Sequence, residues 1–128
     1  MSEFSMQLRG GKTNALGLAA AYATIYSMLI PIAREHGYCL TIHGSLARDL
    51  DLVAIPWTEE AVDALSLIKA FKIATNTVTT GKEWDDLMPD CNPKNKPHGR
   101  TAYSLHFTEI GSQGAYIDIS VMPRIEKK

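Results

Sequence analysis

The sequence predicts an α+β fold (mixed α/β), a small mixed β-sheet of about four strands with helices packed on one face. Three observations predict it. Leu18, Tyr22, Ile25, Leu29 and Ile32 recur at helical spacing near the start of the chain, and Val62, Leu65, Ile68 and Phe71 do so again in its middle. Residues 38–43 and 49–55 alternate with a period of two, and so do residues 100–109 and 115–122. The resulting order is helix, strand, strand, helix, long loop and hairpin.

The first helix is expected from about Asn14 to His36, with Pro31 as a kink and Gly37 as its stop. Tyr38 to His43 sets Tyr, Leu and Ile against Cys, Thr and His, the pattern of a half-buried strand. After Gly44-Ser45-Leu46-Ala47-Arg48, a second strand is expected over Asp49 to Ile55, closed by Pro56. Thr58 has the chemistry of an N-cap for the next helix. Glu59 and Glu60 would fill its first turn, and Trp57 would staple onto Val62. Thr75 to Gly99 has no clear period apart from a short helical stretch around Trp84 and Leu87, so residues 75–99 read as one long loop. Arg100 to Glu109 and Ala115 to Met122 then alternate as two strands around a Gly111-Ser112-Gln113-Gly114 turn. The whole of 1–128 reads as a single domain with residues 1–12 flexible, and no internal repeat is evident.

Composition narrows the function classes. Thirteen basic against 14 acidic residues give a formal net charge of −1, which excludes a generic basic nucleic-acid coat. The 45% hydrophobic content is far above the disordered range. Cys39 and Cys91 form no C-x-x-C pair, so they read as reduced thiols of an intracellular, cytoplasmic protein rather than a disulfide framework or zinc ribbon. Thr13 to Ala33 carries no charge and has the length of a membrane span. Its Asn14, Thr24, Ser27, tyrosines and Pro31 oppose insertion, and its one-sided stripe reads as a buried amphipathic helix, with no membrane partner and no signal peptide.

The chemistry lies in two short stretches. In His43-Gly44-Ser45-Leu46-Ala47-Arg48-Asp49-Leu50-Asp51-Leu52, Asp49 and Asp51 would share one face of a strand, roughly 7 Å apart. In Tyr116-Ile117-Asp118-Ile119-Ser120, a lone acid sits between isoleucines, where a charge is costly without a partner. If the two strands are neighbours, three carboxylates converge. Such a group repels itself unless a cation neutralises it, and hard oxygen donors favour Mg²⁺ or Mn²⁺. Two such ions roughly 4 Å apart can hold the attacking and leaving oxygens of a phosphoryl or nucleotidyl transfer. The Gly44-Ser45 turn would offer backbone N–H groups and a hydroxyl to phosphate, and Arg48, beside the acids, would stabilise phosphate charge.

Blander readings stand beside these. Asp-x-Asp at a strand start also occurs as solvated turn acids. His36, His43 and His106 with Cys39 suggest zinc, but no second ligand pair follows. Ser45 lacks the G-x-S-x-G elbow of a hydrolytic nucleophile. Lys94, Lys96, His98 and Arg100 form a basic run that fits either a solvated loop or a phosphate or nucleic-acid contact. Trp57 and Trp84 fit core or staple positions better than base-stacking platforms.

A Gly-Ser after the first strand, Asp-x-Asp on the second and a third Asp on a later strand resemble the nucleotidyltransferase superfamily that includes DNA polymerase beta and the small antibiotic nucleotidyltransferases. More narrowly, the stretch from His43 to Trp57 and the Tyr-Ile-Asp-Ile-Ser-Val-Met-Pro-Arg ending resemble small bacteriophage proteins, which implies a host-cell cytoplasmic setting but no activity. The superfamily resemblance implies that Asp49 and Asp51 hold two metal ions and that Asp118 completes one site and helps activate an acceptor hydroxyl. It implies further that Gly44 and Ser45 hold a nucleoside triphosphate. One departure is plain. Only Leu46, Ala47 and Arg48 separate Ser45 from Asp49, which fits a tight turn and not the helix that members usually place there.

Three functions follow from these residues. One is metal-dependent transfer of a nucleoside monophosphate from a nucleoside triphosphate to a hydroxyl acceptor. Another is an inactive protein of this fold that binds and inhibits a host enzyme or defence complex. The third is a phosphoesterase or nuclease acting on nucleic acid. The partners are accordingly a nucleoside triphosphate and a host protein or nucleic acid, with a dimer open.

Overall fold

In the computed structural model, residues 15–47, 49–79, 94–107 and 116–125 are described. Along the chain run α1 (Ala15–Glu35), β1 (Tyr38–His43), β2 (Leu50–Pro56), α2 (Ala64–Thr75), β3 (Thr77–Thr79), β4 (Lys94–Asn95), a 3₁₀ turn (Pro97–Gly99), β5 (Thr101–Phe107) and β6 (Tyr116–Val121). The expected α+β class holds. The four long strands β1, β2, β5 and β6 form the order β1-β2-β6-β5, and the short β3 and β4 both pair with β5. All pairings are antiparallel except β2 with β6, which makes the sheet mixed.

Alternation along each strand separates two faces of the sheet. On one face, register aligns Leu50, Ile117 and Leu105 in one row and Leu52, Ile119 and Tyr103 in the next. All six are buried, and they pack with Tyr22, Ile25 and Leu29 of α1 and Leu67, Ile68 and Phe71 of α2. Fully burying one such aliphatic side chain stabilises the fold by about 1.5–3 kcal/mol. The opposite face carries the shorter and more polar residues of the same strands.

α1 runs through Pro31, which has no N–H to donate, and ends where the sequence places its stop. Gly37 has a φ of 89°, and its N–H donates to the Arg34 carbonyl at 3.0 Å. No helix among the described residues is long and apolar enough to cross a membrane.

The second helix differs from expectation. It starts at Ala64, behind an Asp63 cap position, and not at Thr58. The preceding amides have other acceptors: Trp57 and Thr58 donate to the Gly37 carbonyl and Val62 donates to the His36 carbonyl. These bonds tie residues 57–62 to the corner between α1 and β1. Trp57 is 74% exposed, so it does not staple onto Val62. The buried face of α2 is Leu67, Ile68 and Phe71, whereas Val62 and Leu65 are only partly buried.

The expected 75–99 loop is also corrected at both ends, by β3 and by the β4 and 3₁₀ segment. The helical stretch around Trp84 and Leu87, the Gly111–Gly114 turn, Cys91 and residues 1–12 lie outside the described residues.

Candidate metal centre

Register places four polar side chains in one row across the open face. His43 of β1 pairs with Asp51 of β2, Asp51 with Asp118 of β6, and Asp118 with Ser104 of β5. The two acid-bearing strands are therefore neighbours, as convergence of the carboxylates requires. Asp49 lies one residue before β2 and not within it, yet it still reaches the same point. One carboxylate oxygen from each of Asp49, Asp51 and Asp118 lies within 4.8 Å of the other two, and all three side chains are half-buried.

Burial of the Asp51 carboxyl, followed by the neighbouring charges of Asp118 and Asp49, holds its pKa above the ordinary carboxylate value, with His43 pulling the other way. The Ser104 hydroxyl donates to Asp118 Oδ1 at 2.7 Å, which fixes that carboxylate from behind. Nothing local in the sequence marks Ser104. Its signal is positional, since an antiparallel β5–β6 pair sets it opposite Asp118.

The donor set fits a divalent cation. It is all oxygen, it is anionic, and its members repel one another in the absence of positive charge. A hydroxyl bonded to a ligating carboxylate is also the usual support of such a site. Asp49, Asp51 and Asp118 can hold the ion.

Gly44 and Ser45 follow directly from β1. Gly44 has a φ of 94°, which favours glycine, and a Cβ there would stand 2.9 Å from Asp51 Oδ2, so a side chain would displace that carboxylate. Ser45 Oγ accepts from the Ala47 N–H at 3.2 Å, which folds the connection onto itself. Six residues, 44–49, join β1 to β2, and no helix is present among the described ones. Arg48 lies outside the described residues.

Of the other candidates, His43 lines the same open groove as Asp51 and Asp118, whereas His36 Nδ1 donates to the Ile32 carbonyl at 2.7 Å and so caps α1. Among the described residues, the three aspartates are the only group of three or more His, Cys, Asp or Glu side chains close enough to share an ion, so the zinc reading has no site there. The groove over the open face has a volume of about 740 Å³, and its walls include Lys96, His98 and Arg100. That volume suits a small-molecule site. No protein family, no curated protein and no solved structure matches the chain.

Proposed function

We propose that this protein is a metal-dependent nucleotidyltransferase, which moves a nucleoside monophosphate from a nucleoside triphosphate to a hydroxyl acceptor. The observation that carries the reading is the convergence of Asp49, Asp51 and Asp118 within 4.8 Å, with Asp51 and Asp118 lining an open groove. Three carboxylates in that space are unfavourable for their own sake and useful for holding Mg²⁺ or Mn²⁺. When bound there, the cation supplies the positive charge that phosphoryl chemistry needs.

The chain's own groups divide the remaining work. Asp51 and Asp118 present carboxylates from adjacent parallel strands, so their separation is set by the sheet and not by a loop. Asp118 accepts the acceptor's proton as the acceptor oxygen bonds to the α-phosphorus and the bond to pyrophosphate breaks. Ser104 holds Asp118 in one rotamer through its 2.7 Å hydrogen bond. Gly44 leaves the space that a side chain would take from Asp51.

A second reading rests on the β1–β2 connection, which is short and in which Ser45 Oγ already accepts from Ala47. On that reading the protein keeps the fold, has no transfer chemistry, and binds a host protein. One assay separates the two. The protein is incubated with Mn²⁺, each α-labelled nucleoside triphosphate and a host-cell extract, and both label transfer and pyrophosphate release are read. Transfer that is lost in Asp49→Asn, Asp51→Asn and Asp118→Asn supports the enzyme. A folded protein that transfers nothing but still captures one host protein, with or without the aspartates, supports the binder. Cleavage of nucleic acid without transfer would assign the same aspartates to a nuclease.

A further inference from the structure

The wall of the groove that faces the aspartates is a hairpin turn with no role in the reading above. β4 and β5 pair through Lys94 with Ala102 and Asn95 with Thr101, and the Lys96 N–H closes the turn on the Arg100 carbonyl at 2.9 Å. Inside it, Pro97 has a restricted φ, while His98 and Gly99 both take left-handed conformations, with φ of 66° and 77°. Gly99 lies so near Pro123 that a Cβ would stand 3.1 Å from Pro123 Cγ. Three consecutive constrained residues and a closing hydrogen bond thus fix how the turn presents its side chains.

What the turn presents is positive charge. Lys96, His98 and Arg100 all line the groove. Arg100 Nη1 donates to Ser120 Oγ at 3.0 Å, a neutral partner that orients the guanidinium without cancelling its charge. Ser120 is two residues beyond Asp118 on the same face of β6, which puts the arginine's anchor roughly 7 Å along the strand from the aspartates. The groove is therefore anionic at one end and cationic at the other, over a distance that a chain of linked phosphates can span. The Gly44-Ser45 turn, in contrast, is not among the groove's lining residues.

We propose that the Lys96–Arg100 turn is a polyphosphate seat, which holds the terminal phosphates of a nucleoside triphosphate whose α-phosphorus lies at the aspartates. The placement of the α-phosphorus rests on the transferase reading; the seat itself does not. Arginine offers a planar fork to phosphate oxygens and lysine a compact point charge, so the pair suits a densely charged tail. A nucleic-acid backbone offers the same phosphate chemistry at lower charge density.

The test uses inorganic triphosphate as the probe, with EDTA present so that no metal contributes. Calorimetric titration into the full chain should show binding that weakens tenfold or more in Lys96→Ala and in Arg100→Ala and recovers in part in Arg100→Lys. Lys69→Ala, which removes an exposed lysine of α2 outside the groove, should bind triphosphate as tightly as the wild type. Circular dichroism verifies the fold of each variant, and Lys96→Ala, at an exposed position, carries the test if Arg100→Ala does not fold. Triphosphate binding that ignores both substitutions overturns the proposal. So does a short single-stranded DNA that displaces triphosphate at lower concentration than triphosphate itself binds, which would assign the wall to nucleic acid. No transfer is read and no metal is present. Failure of the transferase reading therefore leaves this result standing, and the reverse also holds.

Discussion

Replacing Asp51 with asparagine should stabilise the metal-free protein, although it removes a residue from the candidate site. Asp51 is the middle member of the row, with Asp118 and Asp49 each placing a carboxylate oxygen within 4.8 Å of it. Two unit charges at that distance repel by about 1 kcal/mol at the dielectric of water and about 3 kcal/mol at an effective dielectric of 20. The side chains are only half-buried, so the water-like figure is the better guide, and two such repulsions make about 2 kcal/mol. Loss of the opposing attraction from His43 reduces the gain, leaving about 1–2 kcal/mol, or roughly 4–8 °C in Tm for a chain of this size. The pH dependence has a fixed sign. A carboxyl whose folded pKa is raised contributes its relative stability below its unfolded pKa and loses it as pH rises through the folded value. The advantage of Asp51→Asn should therefore be full above the raised folded pKa of Asp51 and vanish below the ordinary carboxylate value. Differential scanning calorimetry at low salt in EDTA, repeated with saturating Mn²⁺, measures all of this. Mn²⁺ at a hundred times its Kd should raise the wild type by about 2.7 kcal/mol and raise the variant far less. A variant that melts below the wild type in EDTA, or gains equally from Mn²⁺, would refute the argument that these charges are frustrated without a cation.

Three further outcomes follow from the same geometry. Ser104→Ala removes the hydroxyl that donates to Asp118 and should weaken Mn²⁺ binding roughly tenfold with little change in Tm, read by calorimetric titration. Mn²⁺ affinity of the wild type should fall as pH drops through the raised pKa of Asp51, because protons compete for that carboxylate, and titrations at stepped pH would display it. Gly37→Ala would place a Cβ 2.5 Å from Ala61 Cα at a φ of 89°, so it should cost several kcal/mol in chemical denaturation, on the order of the largest single-residue losses. Gly44→Ala meets only a carboxylate oxygen at 2.9 Å, so its loss in the same experiment should be smaller and accompanied by weaker metal binding.

The parts of the fold legible in the sequence are those where one residue in two or one in four meets the core. β1, β2, β5 and β6 alternate because one face is buried under α1 and α2, and Gly37 ends α1 because only glycine takes its φ freely. β3 and β4, with three and two residues, are too short to carry a period, and β3 pairs with a strand, β5, that is remote in sequence. The start of α2 was obscured because Thr58, Glu59 and Glu60 have cap chemistry, whereas the Trp57, Thr58 and Val62 amides bind the α1–β1 corner. At the site, Asp118 is legible because a charge between isoleucines needs a partner, and the Ser104 hydroxyl supplies one. The basic run from Lys94 to Arg100 is legible as a candidate phosphate contact, but its placement beside the aspartates, like that of Ser104, depends on cross-strand register, which no single stretch of sequence expresses.

The central claim is that Asp49, Asp51 and Asp118 form one cation site that receives a nucleotide. Its most direct test is calorimetric titration of Mn²⁺, and then of each nucleoside triphosphate in the presence of Mn²⁺, into the wild type and into Asp49→Asn/Asp51→Asn. Mn²⁺ binding and Mn²⁺-dependent tightening of at least one triphosphate are expected in the wild type, both lost in the folded double variant. A folded wild type that binds no Mn²⁺, or a double variant that binds it equally well, would contradict it.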